Sequence, residues 1–239
     1  VQIITSDFLE FAKYTEKRFQ LIIGNPPYIN IKNMDKIFLE NAKDLCGQYF
    51  LPETVMQNSW VAFVLASIKL LKKNGIMYFV LPLEFLQVHY AEKLRGVLEQ
   101  IFNTIHIMTF TERMFPKIDQ EACLVYMANT DQEMPYISYQ KFNKLDSVSA
   151  SSESKIERNK PLKKWSNAIL CDMHIDLLKK LSDKYLGIDK VGESSPGIVT
   201  GANNKLILTE TEVQKFDCNK FTIPIIAKGM MTQQCIVLD

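Results

Sequence analysis

Phe19-Gln20-Leu21-Ile22-Ile23-Gly24-Asn25-Pro26-Pro27-Tyr28 is the stretch on which the reading of this chain turns. Leu21 to Ile23 is a short apolar run of the size of a buried strand. Gly24 breaks it, and two prolines follow. Neither proline carries a backbone N–H, so neither extends a ladder or a helix. Pro27 also pushes Pro26 into an extended conformation. The product is a stiff elbow at the carboxyl end of a strand, the edge where open α/β sheets bind ligands. Asn25 offers an amide oxygen there, the Pro26 carbonyl has no obligatory ladder partner, and Tyr28 adds a flat ring. Two fixed acceptors beside a ring can hold a planar group bearing –NH2, the acceptors taking its hydrogens and the ring stacking on its face. An amino group held in this way has its lone pair turned out of conjugation and is the better nucleophile for it. A proline-stiffened turn that merely caps a strand is the alternative, since Asn-Pro and Pro-Pro are ordinary turn signals.

The totals set bounds. The chain has 239 residues, 47% hydrophobic and 23% charged, enough for one large domain or one and a half small ones. Its apolar runs are interrupted by charge well short of a membrane span, and no signal-peptide pattern opens it. Cys46, Cys123, Cys171, Cys218 and Cys235 are scattered and odd in number, which fits a reducing cytoplasm better than a disulfide frame or a zinc site. His89, His106 and His174 form no ligand-like cluster, so no metal site is expected. Net charge is +1, and the local exception is the basic run from Lys155 to Lys164, either a solvated linker or a phosphate-contacting strap.

Periodicity and punctuation predict a mostly parallel α/β order. Val1 to Leu9 reads as a strand ending in a polar loop at Asp7, and a helix is expected around Asp35–Leu45. Met56 to Lys73 reads as a helix closed by Asn74-Gly75, followed by a buried strand from Ile76 to Pro82. Leu83 to Ile101 is expected as one helix. Asn103–Phe110 and Glu121–Ala128 read as strands of an antiparallel hairpin at the sheet edge, joined by a loop that exposes Phe115 beside Pro116. The serine-rich stretch 147–154 reads as an exposed linker. His174 to Leu186 suggests a helix, and 192–208 a turn-rich stretch leading into a strand.

Asn25-Pro26-Pro27-Tyr28 after an apolar strand resembles the catalytic motif of amino-group methyltransferases that use S-adenosylmethionine. The chain is most similar to the gamma-class, TaqI-like adenine-N6 DNA methyltransferases of restriction–modification systems. The tetrapeptide alone is shared with glutamine-N5 methyltransferases of release factors and with some guanine-N2 rRNA methyltransferases. Asp7-Phe8-Leu9 is similar to the motif in which an Asp holds the amino group of the cofactor's adenine and a Phe packs near that base. The resemblance therefore implies cofactor binding by Asp7, Phe8 and Asn25. Phe115-Pro116 is similar to the place where a phenylalanine contacts the flipped adenine opposite the tyrosine. The catalytic residues implied are Asn25, Pro26, Pro27, Tyr28 and Phe115.

Gly197-Ile198-Val199-Thr200-Gly201-Ala202-Asn203 looks like the opening of the family's target-recognition domain. Thr200 and Asn203, with Lys163 and Lys164 of the basic run, are the DNA-binding candidates. The implied fold is a Rossmann-like methyltransferase sheet, its C-terminal part, mostly parallel with an antiparallel edge hairpin. The expected organisation is a partial catalytic domain over 1–150, a linker over 151–164 and the start of a target-recognition domain over 165–239. The partner expected is double-stranded DNA, with a restriction endonuclease domain or subunit in the parent protein; a non-catalytic DNA-binding piece is the second class of reading. The family's glycine-rich cofactor loop precedes Asp7-Phe8-Leu9, and no Gly-x-Gly occurs in the chain. The expectation is thus an excised, inactive part of a longer protein. It should bind S-adenosylmethionine no more tightly than about millimolar, ~4 kcal/mol. Residues Val1–Thr5 should pair beside Leu21–Ile23, or a second copy should fill that edge.

Overall fold

A computed structural model describes residues 2–115, 120–131, 134–158, 165–170, 172–193 and 203–225. Six strands form one sheet: β1 Phe19–Gly24, β2 Leu71–Pro82, β3 Thr104–Phe110, β4 Ala122–Ala128, β5 Tyr136–Phe142 and β6 Ser152–Glu157. Their order across the sheet is β1-β2-β4-β3-β5-β6. The β1–β2 and β3–β5 pairs are parallel and the other three antiparallel, so β1, β2, β3 and β5 share one direction while β4 and β6 oppose it. This is the α/β sheet expected, with one rearrangement. The hairpin of β3 and β4 is interior, because β4 slots between β2 and β3. The antiparallel edge is made instead by β5 and β6.

β6 corrects the expected linker over 151–164. Ile137 opposite Ile156 closes one face of that pair, both of them buried, and on the same face Ser154 lies opposite the buried Tyr139. Trp165 is likewise buried, edge-on to Phe85 at 5.2 Å, with its indole N–H donating to Glu99 Oε1 at 2.7 Å. The chain divides into a compact unit of residues 1–181 and a second of 182–239. Among the described residues of the second are α6 Ile188–Val191, α7 Asn203–Leu206 and α8 Glu210–Lys215, the last opened by a reciprocal Thr209–Glu212 cap. Among the described residues no strand follows the turn-rich stretch; short helices stand there instead.

One face of the sheet carries the core: Met77, Phe79, Leu81, Ile105, Ile107, Cys123, Val125 and Met127 are all buried. The helical layer comprises α1 Phe8–Tyr14, α2 Lys36–Gln48, α3 Trp60–Leu70 and α4 Glu92–Ile101; α5 Asp172–Lys184 comes later in the chain and leaves Leu177, Leu178 and Leu181 exposed. α3 is apolar nearly all round, as a helix buried within such a layer should be. It ends at Leu70, and Asn74-Gly75 falls inside β2 rather than terminating the helix. The register explains this. Phe19 pairs with Leu71 but Leu21 with Ile76, so residues 72–75 bulge outward, and the Gln20 side-chain amide donates to the Asn74 carbonyl.

Leu83 to Ile101 is not one helix. Two 3-10 turns, 83–86 and 89–91, precede α4, with Val88 extended between them. The buried Arg95 guanidinium donates to the carbonyls of Phe85 at 2.7 Å and Val88 at 3.1 Å, which those turns leave without helical partners. At the other end of α4, Arg158 donates to the carbonyls of Glu99 and Phe102.

Two expectations at the N-terminus fail. Residues 2–5 form no strand, and β1 is not a buried strand but a sheet edge. Leu21 is 51% and Ile23 68% exposed, because no described strand pairs with β1 on its outer side. Residues 2–6 run along the same flank without a ladder. Ile4, Phe8 and Phe11 line a cavity of about 380 Å³ there with Phe19, Leu21 and Ile23.

Candidate active site

Gly24 opens the site because nothing larger fits. It pairs with Phe79 across β1 and β2, and a Cβ at this position would lie 2.9 Å from the Phe79 ring. The chain then turns through Asn25 and the two prolines at the carboxyl ends of two parallel strands. Pro26 is buried, Pro27 exposed. Asn25 is exposed, and its amide makes no hydrogen bond to any described residue; the Pro26 carbonyl likewise accepts none. The Asn25 amide oxygen and the Pro26 carbonyl are thus both without a partner among the described residues. Tyr28 is half-buried against the core, and its hydroxyl donates to the Val80 carbonyl at 3.1 Å, tying the ring over the end of β2. Burial raises the phenol well above its ordinary value, so the hydroxyl stays a donor.

The elbow is fastened from outside as well. Residues 29–31 and 57–59 form a short antiparallel strip: the Ser59 N–H donates to Ile29 O at 2.9 Å, the Ile31 N–H to Gln57 O at 3.0 Å, and Asn30 bridges Asn58. The Ser59 hydroxyl donates to Pro27 O at 2.5 Å and accepts from the Ile29 N–H at 3.0 Å. Ser59 is not among the expected site residues: with Met56 to Lys73 read as one helix it falls inside that helix, whereas α3 starts at Trp60 and the fold brings Ser59 to the elbow.

The other expected site residues fall as follows. Asp7 is the N-cap of α1, its Oδ1 accepting from the Glu10 N–H at 2.9 Å; Oδ2 has no partner among the described residues. Phe8 stacks face to face on Phe63 of α3 at 5.3 Å and also lines the cavity beside β1. Phe115 is half-buried, with no ring contact to any described aromatic. It comes five residues after β3, and because β3 runs parallel to β1 and β2 its loop starts from the same carboxyl edge of the sheet as Asn25 to Tyr28. The start of its loop is tied to β5 by Thr111 N–H to Phe142 O and Glu112 N–H to Asn143 O. Lys163, Lys164 and Thr200 lie outside the described residues, as does the side chain of Asn203, whose backbone is in α7.

The elements so arranged define an α/β protein with a rigid, doubly acceptor-bearing elbow at the carboxyl edge of its sheet. Residues 3–115 match the model of the family described as Eco57I restriction-modification methylase, and residues 162–238 that of the C-terminal domain of the type II methyltransferase M.Eco57I. The chain is 25% identical over 114 residues to the type II restriction enzyme and methyltransferase RM.Eco57I of Escherichia coli, covering 47% of this chain and 11% of that protein. It is 28% identical over 120 residues to the type II methyltransferase M.HincII of Haemophilus influenzae, covering 46% of this chain and 21% of that one. The matches thus span about a tenth to a fifth of the curated relatives. Among solved structures, the fold is shared with the type IIG restriction endonuclease BpuSI, TM-score 0.53 at 11% identity over 89% of this chain and 29% of that one. It is shared also with a nuclease-deletion mutant of the Type ISP enzyme LlaGI, TM-score 0.50 at 15% identity over 71% of this chain and 21% of the other. Both family models describe methyltransferases, and they match this chain over 3–115 and 162–238.

Proposed function

We propose that the whole protein transfers a methyl group from S-adenosylmethionine to the exocyclic amino group of an adenine in double-stranded DNA. The observation that carries this reading is the pair of uncommitted acceptors, Asn25 Oδ1 and Pro26 O, fixed beside a tethered aromatic ring. A flipped base suits that arrangement, since chemistry on a base requires it out of the stack. Asn25 and Pro26 accept the two amino hydrogens and so direct the nitrogen lone pair. Tyr28 stacks on the base, and Phe115, from the same sheet edge, closes on it from the other side. When bound, the cofactor supplies an electrophilic sulfonium methyl. Asp7, through its unpartnered Oδ2, is the residue to hold the cofactor's adenine amino group, with Phe8 beside it. No Gly-x-Gly is present for the methionine end, so this fit extends to one end of the cofactor only. Positioning provides most of the acceleration.

Residues 1–158 form the catalytic part on this reading. The segment matching the M.Eco57I C-terminal domain, with Thr200, Asn203, Lys163 and Lys164, contacts DNA. An endonuclease domain or subunit acts beside it in the parent protein. Product analysis tests the chemistry. DNA incubated with the full-length protein and the cofactor, digested to nucleosides and read by mass spectrometry, should contain N6-methyladenosine (deoxy form). Methylated cytosine, methylated guanine or label on a protein glutamine would contradict it.

A further inference from the structure

We infer that Ser59 is a positioning residue for the Asn25–Tyr28 elbow, an inference that rests on the function proposed above. Ser59 occupies the N-cap position of α3, where a serine hydroxyl ordinarily accepts from the backbone N–H two or three residues on. This one makes no such cap. Buried to 1% exposure, it spends its donor on Pro27 O and its acceptor capacity on the Ile29 N–H. Those two groups flank Tyr28 on either side in sequence. Neither proline has an N–H to engage, and Pro27 O and the Ile29 N–H are the two backbone groups beside Tyr28 that the hydroxyl holds. A hydroxyl serves both at once, being donor and acceptor on one atom. Cap satisfaction of α3 is forgone for the elbow's sake.

The consequence is specific. Gly24 packed on Phe79 holds the elbow's entry, the Tyr28 hydroxyl on Val80 O holds its ring, and Ser59 fixes the backbone that carries that ring. Without the hydroxyl, residues 29–31 keep their strand-like bonds to residues 57–59, so the fold persists, while Pro27 O and the Ile29 N–H lose their partner and the ring and the Pro26 carbonyl gain freedom. The loss falls on alignment of the amino group, not on capture of DNA, which belongs to other parts of the protein.

The test uses the full-length protein with Ser59→Ala and, as a control, Ser67→Ala. Ser67 is a fully buried serine of the same helix whose hydroxyl has no partner among the described residues, so its removal deletes a buried oxygen without touching the elbow. Three quantities are read: DNA affinity, the single-turnover methylation rate at saturating DNA and cofactor, and the fluorescence of 2-aminopurine at the target position. Ser59→Ala should slow methylation about tenfold or more, the scale of a small misplacement of reacting groups. DNA affinity should stay within about twofold, with altered 2-aminopurine fluorescence, and Ser67→Ala should behave as wild type in all three. A Ser59→Ala rate equal to wild type, or an equal loss in Ser67→Ala, overturns the role of Ser59 alone. A wild-type protein that methylates no base overturns the underlying functional reading and this inference with it.

Discussion

Tyr28 shows how one side chain joins the stability of the elbow to its chemistry. Its hydroxyl bond to Val80 O is an intramolecular hydrogen bond of the kind that contributes about 1 kcal/mol. Burial holds the phenol protonated beyond its ordinary value of 10.0. With the folded-state value above the unfolded one, this contribution is fully present below pH 10.0 and is lost as pH rises through the folded value. Tyr28→Phe should therefore be less stable than wild type by about 1 kcal/mol near pH 8, and the gap should narrow above about pH 10. Urea unfolding midpoints at the two pH values measure this. An equal gap at both would show that the phenol's burial is not what shifts it.

The elements show what a sequence can and cannot disclose. Gly24, the two prolines and the apolar run before them were legible because each constrains the backbone locally. α2 was legible from Asp35, whose carboxylate accepts from the Phe38 N–H at 2.7 Å. β6 was not, because a serine-rich strand owes its place to the partner across from it, and only Ile156 marks the buried face. The break of 83–101 was hidden for a related reason. Leu83 to Ile101 has helical spacing, but Arg95 gives the carbonyls of Phe85 and Val88 a partner that a continuous helix would not need. The order β2-β4-β3 could not be read from adjacency either, since β4 returns past its hairpin partner to pair with β2. Of the site, Asn25 to Tyr28 were visible as a motif; Ser59, 32 positions from Pro27, was joined to it only by folding.

At the scale of the molecule, β1 stands out as an apolar strand with an open edge. Ile23 is 68% and Leu21 51% exposed, flanked by Ile3 at 87% and Ile4 at 51%. Unpaired strand edges of this kind template pairing with another chain, and a lysine on the edge suppresses it. The 239-residue chain should therefore associate as its concentration rises, seen as a growing sedimentation coefficient, and Ile23→Lys should remain monomeric across the same series. Association of equal strength in the variant would place the contact elsewhere. None of the described helices is long and apolar enough to cross a membrane.

The role proposed for Asn25 is to provide one of two acceptors that orient an amino group for methylation. It is tested most directly by Asn25→Ala in the full-length protein, with DNA binding and single-turnover methylation measured on the same sample. DNA affinity should stay close to wild type and the methylation rate should fall by about a hundredfold or more, since one of the two groups that align the nucleophile is gone. Methylation at the wild-type rate would contradict it.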